Sequence, residues 1–160
     1  MFFSSLAHHH HYPPTTNNSF KKMLALQGNT APYMLYAFAR IQGIRRKALS
    51  LVEEQGGAGA ATALTAADLQ LLSPEERILG VTLLRFEEVL LDVARDLYPS
   101  RLCEYLYDLS QLFNKFYEKC PVLKAETPAL VKSRTALCSV TADTLKVGLG
   151  ILGIETLEKL

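Results

Sequence analysis

The chain has 160 residues, 49% of them hydrophobic and 21% charged, which fits one globular domain with a real core and excludes disorder for the bulk of it. A net charge of +1 argues by itself for neither a nucleic-acid partner nor an acidic one. The longest uncharged stretch of apolar character, Met23 to Ala39, is interrupted by Gln27, Gly28, Asn29, Thr30 and Pro32. Nothing supplies the roughly 20 apolar residues of a membrane span, so no transmembrane helix and no membrane partner are expected.

Residues 1–18 lack the charged start and long apolar run of a secretory signal and read as a disordered leader. The run His8 to His11 within them, without carboxylate or Cys partners, reads as low-complexity sequence, and no metal site is expected there. Residues 19–160 read as one helical domain. Its first helix begins after Asn29-Thr30, with Pro32 in the first turn where the missing N–H costs nothing, and carries the stripe Met34, Ala37, Ile41, Ile44, Ala48 and Val52. The uncharged Gly/Ala-rich stretch from Gly56 to Ala67 breaks that pattern as a flexible connection.

A second helix opens at Ser73-Pro74-Glu75-Glu76, where Ser73 and Glu76 have the spacing of a capping box and Pro74 suits the first helical position. Its stripe Leu79, Leu83, Phe86, Leu90, Val93 and Leu97 predicts one continuous helix to Pro99. The third carries Leu102, Leu106, Leu109, Phe113, Phe116 and Cys120 up to Pro121. The fourth starts at Thr127-Pro128, turns Leu137 or Cys138, Thr141, Leu145, Leu149 and Leu152 inward, and ends among Gly148, Gly150 and Gly153. No strand is legible. The fold class expected is all-α, an antiparallel helical bundle in which short connections make neighbours antiparallel, the 56–67 loop excepted.

The residues offer little catalytic chemistry. Glu53-Glu54, Glu75-Glu76 and Glu87-Glu88 point about 100° apart on a helix and cannot share a substrate. Gly56-Gly57-Ala58-Gly59 lacks the Lys-Ser/Thr ending of a phosphate loop, and all four His lie in the leader, so no catalytic residue is expected. Cys103, Cys120 and Cys138 form no C-x-x-C and read as three buried thiols in a reducing compartment.

Charge, by contrast, is unevenly placed. Residues 31–52 carry Arg40, Arg45, Arg46 and Lys47 and no acid, whereas residues 53–100 carry nine acids against three arginines. Tyr33, Tyr36, Arg40, Gly43 and Lys47 recur at spacings of three and four, one position behind the core stripe of the first helix, and share one edge of it. Tyrosine rings stack on unpaired bases while Arg and Lys meet phosphates, the combination that single-stranded RNA recognition needs. The competing reading is that the tyrosines seal the bundle and the cations are solvated. A second basic group, Lys115, Lys119, Lys124, Lys132 and Arg134, reads as surface charge around the turn between the third and fourth helices.

The run Gly28-Asn29-Thr30-Ala31-Pro32-Tyr33-Met34-Leu35-Tyr36-Ala37-Phe38-Ala39-Arg40-Ile41 resembles the helix that opens the C-terminal anticodon-binding (DALR) domain of the arginyl-tRNA synthetases. The likeness continues through Leu106-Tyr107-Asp108-Leu109-Ser110, through Phe113-Asn114-Lys115-Phe116-Tyr117-Glu118-Lys119-Cys120-Pro121, and into Arg134-Thr135-Ala136-Leu137-Cys138 and Leu152-Gly153-Ile154-Glu155. It implies a module that grips the anticodon stem-loop of the tRNA for arginine within a class I synthetase, with Asn29, Tyr33, Tyr36, Arg40, Lys47, Lys115 and Lys119 as the tRNA-binding residues. The catalytic domain of such a synthetase, with its His-Ile-Gly-His-like signature, has no counterpart in this sequence, so that domain is expected as a partner, ATP and Mg as its cofactors, and no aminoacylation from these residues alone. The final Leu160 stands where the family usually ends in Met, and residues 1–18 resemble nothing in it, as in a fragment or a shortened reading frame. A cytoplasmic or organellar site is expected. A helical protein-interaction module that kept the bundle without RNA binding is the alternative, and only the Tyr/Arg edge separates the two.

Overall fold

A computed structural model of the protein describes residues 28–54 and 69–156. Expectations for the leader with its His run, and for the 56–67 connection, lie outside the described residues, which contain five helices and no strand: α1 (Ala31–Glu54), α2 (Pro74–Leu84), α3 (Phe86–Asp96), α4 (Ser100–Lys119) and α5 (Pro128–Ile151). The all-α expectation holds.

α4 occupies the centre and touches every other helix. The six apolar residues its spacing singled out, Leu102 through Cys120, are all buried. Across α4 and α2, Tyr105 meets Thr82 and Cys120 meets Ser73, so the two run antiparallel; Leu106 against Gly148 and Pro121 against Arg134 make α4 and α5 antiparallel as well. α1 lies parallel to α4, since Tyr33 meets Tyr107 and Arg40 meets Asn114 and Tyr117 farther along. Met34, Ala37, Ile41 and Ile44 of α1 are buried as their spacing predicts, together with Phe38, which occupies the same face one turn after Met34.

The Ser73 capping box is present. The Glu76 amide donates to Ser73 Oγ at 3.1 Å, and the Ser73 amide donates to Glu76 Oε2 at 2.7 Å, with Pro74 in the first turn. The continuous second helix expected to run to Pro99 is instead two helices, α2 and α3, hinged at Arg85. The cause is tertiary. Tyr105 donates its hydroxyl to the Thr82 carbonyl at 3.0 Å, competing for the acceptor that an uninterrupted helix offers to the amide of residue 86, while the Arg85 amide takes the tighter three-residue bond to the same carbonyl. Thr82 also donates its own hydroxyl to the Ile78 carbonyl, a bond that bends helices. Because the hinge keeps Leu79, Leu83, Phe86, Leu90 and Val93 turned toward the core, the apolar stripe survives it. Leu97, expected as the stripe's last member, is exposed in a left-handed cap with φ 58°.

Thr127 caps α5, and Gly153 ends it in a Schellman turn: with φ 75°, its amide donates to Gly150 while the Ile154 amide donates to Leu149 at 2.9 Å. Gly148, expected among the terminators, has another reason to be glycine. It is buried in the last turn of α5, and a Cβ built there falls 2.5 Å from Leu106 Cδ2, so the absent side chain is what lets α4 and α5 approach. Gly148→Ala is therefore expected to cost about 1–3 kcal/mol through overpacking, although alanine is the better helix former. Urea denaturation measures it directly.

Of the three thiols expected to be buried, Cys120 and Cys138 are, whereas Cys103 is only partly buried; all are free. Burial pushes the Cys138 thiol up to about 12, so it stays protonated and inert at neutral pH.

Candidate nucleic-acid interface

The parallel packing of α1 against α4 creates a polar edge beside the core. Asn114 of α4 organises it, donating through Nδ2 to the Tyr33 hydroxyl at 2.9 Å and accepting through Oδ1 from Arg40 Nη1 at 3.1 Å. The other Arg40 amino group donates to the Tyr36 hydroxyl at 3.3 Å, one helical turn back. The guanidinium carbon lies 5.1 Å from the Tyr36 ring centre and 5.7 Å from that of Tyr117, so the cation sits between two aromatic rings that are 50% and 40% exposed. Tyr117 stacks on buried Phe113 with centres 6.1 Å apart, and Tyr33 leans on Tyr107 at 5.4 Å. Three planar groups are thus presented at a fixed spacing to solvent.

Beside them runs a groove of about 460 Å³, lined on one side by Arg40, Gly43, Ile44 and Lys47 and on the other by Tyr117 and the segment Pro121–Lys124. Lys47 and Lys124 are exposed and put positive charge on opposite walls. A Cβ at Gly43 meets nothing closer than Arg46 Nη2 at 4.0 Å, so this position opens into the groove.

Of the seven residues named from sequence, the structure gathers Tyr33, Tyr36, Arg40 and Lys47 on one edge. Asn29 is exposed ahead of the first turn of α1, and Lys115 and Lys119 are exposed on α4; none of the three lines the groove. Of the second basic group, Lys124 belongs to the groove wall, and Arg134 is not surface charge at all. It pairs with the fully buried Glu76 at 2.6 Å and is itself only 12% exposed. Asn114 and Tyr117 were missed as site residues although both lie within the α4 run that carries the likeness, because only their contacts across to α1 reveal them.

Among the described residues, no group of three or more His, Cys, Asp or Glu side chains is placed to hold a metal ion, and no helix is long and apolar enough to cross a membrane.

Residues 34–160 match the family described as the DALR anticodon binding domain. The chain belongs to that family. The DALR domain is 53% identical over 142 residues to an arginine–tRNA ligase from Synechococcus sp. (strain CC9605) and 54% identical over 142 residues to one from Synechococcus sp. (strain ATCC 27144), alignments that take in 89% of this chain but only 22% and 23% of those proteins. Among solved structures it is similar to the arginyl-tRNA synthetase of Plasmodium falciparum, with a TM-score of 0.73 and 34% identity over 89% of this chain and 23% of that one. It is also similar to that of Thermus thermophilus, with a TM-score of 0.70 and 34% identity over 85% of this chain and 22% of that one. The DALR domain described here thus spans less than a quarter of the length of these relatives.

Proposed function

We propose that this domain binds the anticodon stem-loop of the tRNA for arginine, as the tRNA-gripping part of an arginine–tRNA ligase in the cytoplasm or an organelle. The observation that carries the reading is Arg40 held between Tyr36 and Tyr117 at the mouth of a groove with lysines on both walls. Unpaired loop bases stack on exposed rings whatever their identity, and the guanidinium plane extends the stacking surface. Arg40, Lys47 and Lys124 meet the phosphates between those bases, and the hydrogen bonds from Arg40 to Asn114 and Tyr36 fix its plane before RNA arrives, which lowers the entropy lost on binding. Arginine activation, with its ATP and Mg, is assigned to a catalytic domain outside these residues.

Gly43 provides the test. Since its Cβ direction is open, Gly43→Phe is expected to fold normally, occupy the groove and weaken binding of an arginine anticodon stem-loop at least tenfold. Gly43→Ala leaves room, and is expected to bind like the wild type while gaining about 0.5–1 kcal/mol of helix stability. Full affinity in folded Gly43→Phe would move the seat away from the groove. A wild-type domain with no measurable RNA affinity would favour the protein-interaction reading.

A further inference from the structure

The groove's second wall, Pro121–Lys124, follows α4 as irregular chain, and the contacts that hold its start come from behind it. Cys120 leaves the helix in an extended conformation, with its Sγ 3.2 Å from Ser73 Oγ. At the next residue the Pro121 carbonyl accepts a hydrogen bond from Arg134 Nη1 at 2.9 Å. The same guanidinium gives its Nε to Glu76 Oε1 at 2.6 Å, and the other oxygen of Glu76 accepts from the Leu72 and Ser73 amides, both at 2.7 Å. One planar cation therefore joins α5, the capped start of α2 and the wall of the groove, and its fork geometry is what allows two acceptors to be held at fixed angles.

We propose that Arg134 is a positioning residue for RNA binding: anchored by Glu76, it holds the Pro121 carbonyl and thereby sets the wall that carries Lys124 opposite Arg40 and Lys47. This rests on reading the groove as the RNA seat. It predicts that affinity and stability separate. In Glu76→Gln/Arg134→Met both charges leave together while the amide oxygen of Gln still accepts from the Leu72 and Ser73 amides, so the fold is retained, but nothing donates to Pro121. In Glu76→Gln the cation loses its charged partner and stability falls, yet Arg134 still reaches Pro121.

The experiment is a fluorescence titration of a labelled arginine anticodon stem-loop with both variants, each melted in parallel. The expected result is at least tenfold weaker binding by the double variant and a loss of less than threefold in the less stable Glu76→Gln. Affinity that follows stability instead, with the double variant binding like the wild type, would overturn the proposal. Should the double variant not fold, Arg134→Lys, which keeps a cation but not the fork, is expected to bind several-fold more weakly, and wild-type affinity there overturns the proposal equally. If the wild type binds no stem-loop, the reading of the groove fails but the wall is still testable: the amide resonance of Val122, whose peptide group carries the Pro121 carbonyl, shifts in Arg134→Lys if the anchor is real, and stays unchanged if it is not.

Discussion

Arg134→Ala is expected to cost the domain about 3–5 kcal/mol of folding stability, because it leaves the fully buried Glu76 carboxylate without its cation. Exposed ion pairs such as Arg45–Asp143 are, by contrast, worth only about 0–1 kcal/mol each. The pair also sets an acid dependence whose sign follows from Glu76. Burial pushes its carboxyl up, but the Ser73 amide, the Arg134 guanidinium and the Leu72 amide together outweigh burial and leave it below its ordinary 4.5. A carboxyl lowered in the folded state takes up its proton more readily once unfolded. The stability it contributes is therefore complete above about pH 4.5 and is lost as the pH falls through the lower folded value. Urea midpoints measured from pH 7 down to pH 3 are expected to converge for wild type and Arg134→Ala, since a protonated Glu76 no longer needs the cation. A gap that stays constant with pH would mean that the substitution acts through packing alone.

Tyr36→Ala is expected to weaken anticodon stem-loop binding by about 1–3 kcal/mol, or about 5- to 150-fold, at any salt concentration, because what it removes is a stacking surface. Its ring is half exposed and contributes nothing to the core cluster, so the variant is expected to fold. Arg40→Ala is expected to act differently. It removes a cation as well as a plane, so binding weakens most at low salt and the slope of log affinity against log salt falls by about one unit. Asn114→Ala leaves the charge but releases the guanidinium from its anchor, and is expected to lower affinity with the slope unchanged. The three variants thus distinguish stacking, charge and orientation within one cluster, and equal losses with equal slopes in all three would indicate a general disturbance of the α1–α4 packing.

Much of this architecture was legible in the sequence because it is local. The capping box at Ser73, the Thr127 cap and the stripe of α4 depend on residues within one or two helical turns, and each stands where its spacing put it. The edge Tyr33, Tyr36, Arg40 and Lys47 was legible for the same reason. What escaped depends on partners far along the chain. The hinge at Arg85 exists because Tyr105 captures the Thr82 carbonyl, 23 residues away, and Gly148 reads as a helix end until Leu106 is seen against it. Glu76 announces itself as a cap, but its second oxygen finds Arg134 across 58 residues, which is why a partly buried, paired cation reads as surface charge. Asn114 joins Tyr33 and Arg40 from 81 and 74 residues away, and no spacing within either helix shows it.

We propose that RNA lies along the α1–α4 edge and the groove beside it. The most direct test is to map amide chemical-shift changes in the isotopically labelled domain as unlabelled arginine anticodon stem-loop is added. Shifts are expected to concentrate at residues 33–47 of α1, at Asn114 and Tyr117, and at Val122–Lys124 of the groove wall, with the acidic α3 unaffected. Shifts centred on Lys115, Lys119 or α3, with Tyr36, Arg40 and Gly43 unmoved, would contradict it.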